Sequence, residues 1–87
     1  MKEIKGTYTE ESGWVSEDLL LTGSIYLTID LQKRGYIVIS RIDDGEQYKI
    51  FVSPFIKKTI LRLYDIADCT IRIETTEEPN TISYANI

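Results

Sequence analysis

The sequence contains no histidine, and its only cysteine is Cys69. Without histidine there is no Ser-His or Cys-His nucleophile pair, no imidazole metal ligand, and none of the commonest general base. With one thiol the chain can form no internal disulfide and no cysteine-rich metal site. A single cysteine at an apolar strand position reads as a small core residue. No glycine-rich phosphate loop is present. Alanine is also scarce, at two residues against fourteen isoleucines. The N-terminal Met1–Gly6 stretch lacks the apolar core of a signal peptide, and no apolar run approaches membrane-spanning length. The expectation is a cytoplasmic protein with no membrane partner, no cofactor, no metal and no enzymatic activity.

What is present suits a single small domain. At 87 residues, a chain buries about 60–65% of its unfolded surface, enough for one modest core. Isoleucine is stiff at χ1 and packs well on a pleated, half-buried surface. The net charge of −4 favours solubility and opposes non-specific attachment to nucleic acid or anionic membrane. Residues 1–31 hold two basic and six acidic side chains, so this segment supplies the whole charge excess.

Residues 24–31 alternate apolar and polar, which predicts a strand. Lys33-Arg34-Gly35 then reads as a three-residue hairpin loop, with Gly35 at the position that needs positive φ. That register sets Leu31 opposite Ile37, Ile29 opposite Ile39 and Leu27 opposite Arg41. Asp44-Gly45 is a strong two-residue hairpin signal. It sets Arg41 opposite Tyr48, Ile39 opposite Ile50 and Ile37 opposite Val52. Both turns place one face inward: Ile25, Leu27, Ile29, Leu31, Ile37, Ile39, Ile50 and Val52. Tyr36, Val38, Lys49 and Phe51 then fall on the opposite face.

Ser53-Pro54 predicts a helix start, a hydroxyl cap followed by proline at the first position. Ile56, Ile60, Leu63, Tyr64 and Ala67 form one apolar stripe at helical spacing. Lys57, Lys58 and Arg62 cover its outer face. Residues 69–76 alternate again, with Cys69, Ile71 and Ile73 on one side. Glu77-Glu78-Pro79-Asn80 reads as a turn, and residues 81–87 as a closing strand with Ile82 and Tyr84 inward. Before residue 24 the pattern is weaker. It gives an edge strand over 2–9, a turn at Glu10–Gly13, a short strand at Trp14-Val15, and Ser16-Glu17-Asp18 in the style of a helix start. Leu19–Leu21 reads as a strand running into the next element. The fold class is α+β: an antiparallel meander of five or six strands with one amphipathic helix. The order from residue 24 onward, β-β-β-α-β-β, is similar to that of an OB-type open barrel.

Two surface patches carry functional readings. Glu10, Glu11, Glu17 and Asp18 surround Trp14. Exposed, that tryptophan would anchor a protein partner with a basic surface; buried, it would close the open end of the core. Lys33, Arg34, Tyr36, Lys49 and Phe51 could stack bases and hold phosphates, the alternative of a single-stranded nucleic-acid-binding domain. The acidic balance favours the first. The doublets Asp43-Asp44 and Glu10-Glu11 both sit in turns and read as solvated turn residues, not as a catalytic pair. The resulting expectation is a non-enzymatic protein-binding module, an adaptor or a small acidic inhibitor. Small acidic domains of phage and mobile elements, anti-CRISPR and DNA-mimic proteins among them, are similar in size and charge.

Overall fold

The computed structural model describes residues 1–55 and 58–87, apart from the side chains of 55, 59 and 65–67. The described residues form strands in the order β1 (Lys2–Glu3), β2 (Gly6–Thr9), β3 (Gly13–Ser16), β4 (Leu19–Leu31), β5 (Gly35–Asp43), β6 (Glu46–Phe55), β7 (Lys58–Thr75) and β8 (Pro79–Asn86). All pairings are antiparallel. The sheet curls into a half-barrel around one apolar core.

The organising element is the ribbon of β4 and β7. Extended, the 18 residues of β7 would reach about 60 Å, yet the longest dimension of the molecule is 31 Å. The ribbon therefore bends. The bend lies where β4 pairs Leu21 with Cys69, Gly23 with Ile66 and Ile25 with Leu63. Each of these two steps carries one more residue on β7 than on β4, so two bulges sit opposite Gly23. Bulges bend the strand that holds them, and Gly23, at φ 80°, supplies a left-handed backbone that other residues adopt at a cost.

On one side of the bend lie residues 23–31 of β4, β8 and the first half of β7. On the other, β6, β5, the second half of β7, β3 and β2 lie side by side. Ile25, Leu27 and Ile29 from β4 meet Ile37 and Ile39 from β5, Ile71 and Ile73 from β7 and Ile82 from β8 in one buried cluster. Period-two alternation puts every one of these side chains inward.

The expected helix is absent, and the chain is all-β among the described residues. Ser53 and Pro54 end β6, where Pro54 pairs with Tyr36. Proline is tolerated there because β6 is an edge strand. Ile56 and Lys57 lie outside the described residues, as does the side chain of Ala67. Of the remaining stripe, Ile60 and Tyr64 are 60% and 63% exposed and only Leu63 packs against the core, joined there by Leu61, which lay outside the stripe. The segment Lys58–Tyr64 satisfies both periods on paper. Its pairing with β4, which offers the apolar inner face of Ile25, Leu27 and Ile29, decides for the strand. Without the helix, the OB-type element order no longer applies.

Two registers also change. β4 and β5 do not pair with one another, since β4 pairs with β7 and β8 and β5 pairs with β6 and β7. Gly35 therefore is not a hairpin residue at positive φ. It is a close-approach glycine, with the Thr76 hydroxyl where a Cβ would stand. The β5–β6 hairpin turns on Asp44 and Gly45, both at positive φ (51° and 79°), as its sequence predicts. Arg41 faces Tyr48 as expected, but a bulge between Ile39 and Ser40 gives β6 one extra residue, and Ile39 then faces Phe51. Phe51 turns to the core, and Ile50 and Val52, expected inside, are 55% and 56% exposed. The helix start expected at Ser16 is not found: Ser16 closes β3. The strand over Leu19–Leu21, the turn at Glu10 to Ser12 and the closing strand with inward Ile82 are as expected.

Candidate functional site

The acidic segment folds as the β2–β3 hairpin, with Gly6 opposite Ser16 and Thr9 opposite Gly13. Its turn is held by the Ser12 backbone N–H, which donates to Thr9 Oγ1 at 3.1 Å. Two glycines press the hairpin onto its neighbours. A Cβ on Gly6 would meet the Trp14 ring and the Val15 carbonyl, and one on Gly13 would run into the Thr75 carbonyl. Gly13 also sits at φ 71°.

Trp14 is 6% exposed and belongs to the core cluster. The expectation of an exposed tryptophan anchor is therefore corrected: the ring is buried and closes the core. Glu10, Glu11, Glu17 and Asp18 are all exposed, but they are not one cluster. Glu10 and Glu11 sit at the hairpin tip. Glu17 and Asp18 follow its base, about 13 Å away along the strand. Asp18 is committed to Arg72, whose Nε and Nη2 donate to its two carboxylate oxygens at 2.8 and 3.3 Å. That hydrogen bond holds the Arg72 guanidinium above its already high pKa. Among the described residues no ion pair engages Glu10, Glu11 or Glu17.

The basic set is also divided. Lys33 and Arg34 lie exposed in the β4–β5 loop, and Tyr36 is exposed beside Pro54. Lys49 is exposed opposite Ser40, whereas Phe51 faces the core. Phe51 and Lys49 therefore do not share a face on which a base could stack. Lys58 stands opposite Asp30, and the Arg62 guanidinium lies 5.5 Å from the centre of the Tyr26 ring. An open depression of about 650 Å³ on that outer face is lined by Tyr26, Thr28, Ile60, Leu61, Arg62 and Ala85, with Met1 at its rim. Among the described residues that line it, Arg62 alone has a charged side chain. Among the described residues, no group of three or more metal-ligating side chains converges, and no helix is long and apolar enough to cross a membrane.

Sequence reasoning missed the β6 edge. Tyr48, Ile50 and Val52 are exposed there, and β6 pairs only with β5 among the described residues. The signal was in the run Ile50-Phe51-Val52: three consecutive apolar residues cannot all face inward on a strand, so both faces are apolar. At the start of β6, the Tyr48 hydroxyl donates to Glu46 Oε2 at 2.7 Å, and Arg41 lies 5.7 Å from the Tyr48 ring centre. The bond to Glu46, ahead of burial and the nearby Asp43, raises the Tyr48 pKa.

Comparison with protein-family models, with curated proteins and with solved structures finds no match.

Proposed function

We propose that this chain is a non-enzymatic protein-binding module, of the small acidic inhibitor or adaptor kind, that occludes a basic surface on its partner. The observation that supports this reading is the pair of carboxylates, Glu10 and Glu11, without an ion-pair partner among the described residues, at the tip of a hairpin anchored by a buried tryptophan. A tip held from below loses little conformational freedom on binding. Carboxylates without internal partners steer a basic surface into contact. Trp14 serves as the anchor of the device and not as its contact. Glu17 extends the negative field at the hairpin base, while Asp18 is occupied by Arg72.

The test is affinity capture with the full chain and with the double variant Glu10→Lys, Glu11→Lys. The partner is expected to be lost by the variant and to elute from the wild type as salt is raised. Equal recovery by both proteins, salt-independent, would sink the reading.

A further inference from the structure

We propose that the β6 edge is a self-association surface, through which two copies of this chain pair antiparallel about a two-fold axis. The proposal is independent of the acidic hairpin, because β6 and β2 lie at opposite edges of the order β6–β5–β7–β3–β2.

Three observations converge on it. The first is the edge itself. An open edge strand offers a row of backbone donors and acceptors to another strand, and β6 is apolar on both faces, with Ile50 and Val52 outward and Phe51 inward. Phe51, Leu61 and Leu63 are core-facing but only half buried, as expected beside an uncovered edge. Among the described residues no ladder joins β6 to β7.

The second is register. With the two-fold axis at Phe51, Ile50 of each copy meets Val52 of the other, and Phe51 meets Phe51. Outward residues then face outward residues, and inward face inward. Ile50, the extra residue of the β6 bulge, and the proline at 54 bound this stretch, so a slipped register has no second apolar set to use.

The third is charge, which selects a second copy over a foreign strand. At the turn end of β6 stand Asp43, Asp44 and Glu46, with Arg41 as the nearby cation. At its other end stand Lys33, Arg34 and Lys58, with Asp30 opposite Lys58 and Glu77 against Gly35. One end carries an acidic excess and the other a basic one. Antiparallel self-pairing lays the acidic end of each copy along the basic end of the other, and does so twice. The assembly leaves both β2–β3 hairpins free on its far edges.

Sedimentation velocity of the full chain from micromolar to millimolar concentration tests this, with circular dichroism to show that each variant is folded. A concentration-dependent dimer is expected. Val52→Lys, at an exposed position, should raise the dimer dissociation constant about ten-fold or more through the loss of two cross-strand apolar pairs. Lys33→Glu with Arg34→Glu should weaken the dimer, and adding Asp43→Lys with Glu46→Lys to that protein should restore it. Glu10→Lys with Glu11→Lys should leave self-association unchanged, which separates this surface from partner capture. A wild type that stays monomeric throughout, leaving the edge for another protein's strand, overturns the proposal. So does a dimer indifferent to Val52→Lys.

Discussion

The hydroxyl of Ser16 accepts the backbone N–H of Ile73 at 2.9 Å, across 57 residues of sequence. Ser16 is 5% exposed and Ile73 is fully buried. The β3 pairing with β7 ends at Val15–Glu74, and the β4 pairing begins at Leu19–Ile71. Ile73 falls in the gap along that edge of β7, while on the other edge it lies in register with Ile39 of β5. The Ser16 side chain is the acceptor in that gap, and its own proton goes to the Glu17 carbonyl at 2.9 Å.

Ser16→Ala therefore leaves a buried donor without a partner. The expected loss is about 1–3 kcal/mol of unfolding free energy, read from a urea melt. Amide exchange at Ile73 should rise more than at its neighbours Arg72 and Glu74. A loss within error, with Ile73 exchange unchanged, would remove the hydroxyl from the ladder.

Thr28 presents the opposite case. Its Oγ1 is buried without a hydrogen-bond partner among the described residues. Thr28→Val keeps the branched shape and the strand preference while removing the stranded hydroxyl. The variant is expected to gain about 1 kcal/mol in stability, measured by chemical denaturation. Destabilisation instead would mean that the hydroxyl is bonded in solution.

Two glycines should respond to alanine for different reasons. At Gly23 nothing lies within 4 Å of a built Cβ, so Gly23→Ala costs only the left-handed backbone, about 1 kcal/mol. At Gly6 the Cβ meets the Trp14 ring 2.5 Å away, an overpacking cost of about 1–3 kcal/mol. Intrinsic fluorescence distinguishes them, because Trp14 is the sole tryptophan. Gly6→Ala should shift the native emission and Gly23→Ala should not.

Tyr48 gives a titration signature. Its hydrogen bond to Glu46 favours the neutral phenol, so its pKa lies above the usual 10.0. The associated stability is present below the unfolded-state pKa and is lost as pH rises through the higher folded-state value. Glu46→Gln should bring the Tyr48 titration, followed by NMR, back toward the ordinary value, leaving the other tyrosines in place. No movement would show that Glu46 is not the cause.

The inward face was legible in sequence for β4, β5, the second half of β7 and β8, because alternation sets the facing of a strand whatever it pairs with. Ile25, Leu27, Ile37 and Ile39 are fully buried although the β4–β5 hairpin used to align their strands does not form, and Ile73, read from the alternation over 69–76, is fully buried too. Asp44-Gly45 was legible because its backbone demand is local. The β6 bulge was not, since one inserted residue exchanges the faces of everything beyond it, which is why Ile50 and Val52 came out and Phe51 went in. The first half of β7 was misread because its apolar spacing fits both periods and its partner strand lies some thirty residues earlier. At the candidate site, the exposure of the acids followed from their place in turns and loops. The burial of Trp14 depended on packing that no local pattern encodes. Ser16 was read as a cap for a nearby N–H; the chemistry was right, but the N–H belongs to Ile73.

The double role of β7 governs the order of assembly. It is the strand that β3, β4 and β5 all share, and it spans 58–75. Until those residues have emerged from a ribosome, β3 has only β2 beside it, β4 and β5 share no ladder, and the first fifty residues own no stable sheet. Nearly every stabilising contact must wait for a long-range closure, which makes folding slow relative to a helical domain of this size. The nascent chain is exposed meanwhile, with Ile50-Phe51-Val52 among the segments left uncovered.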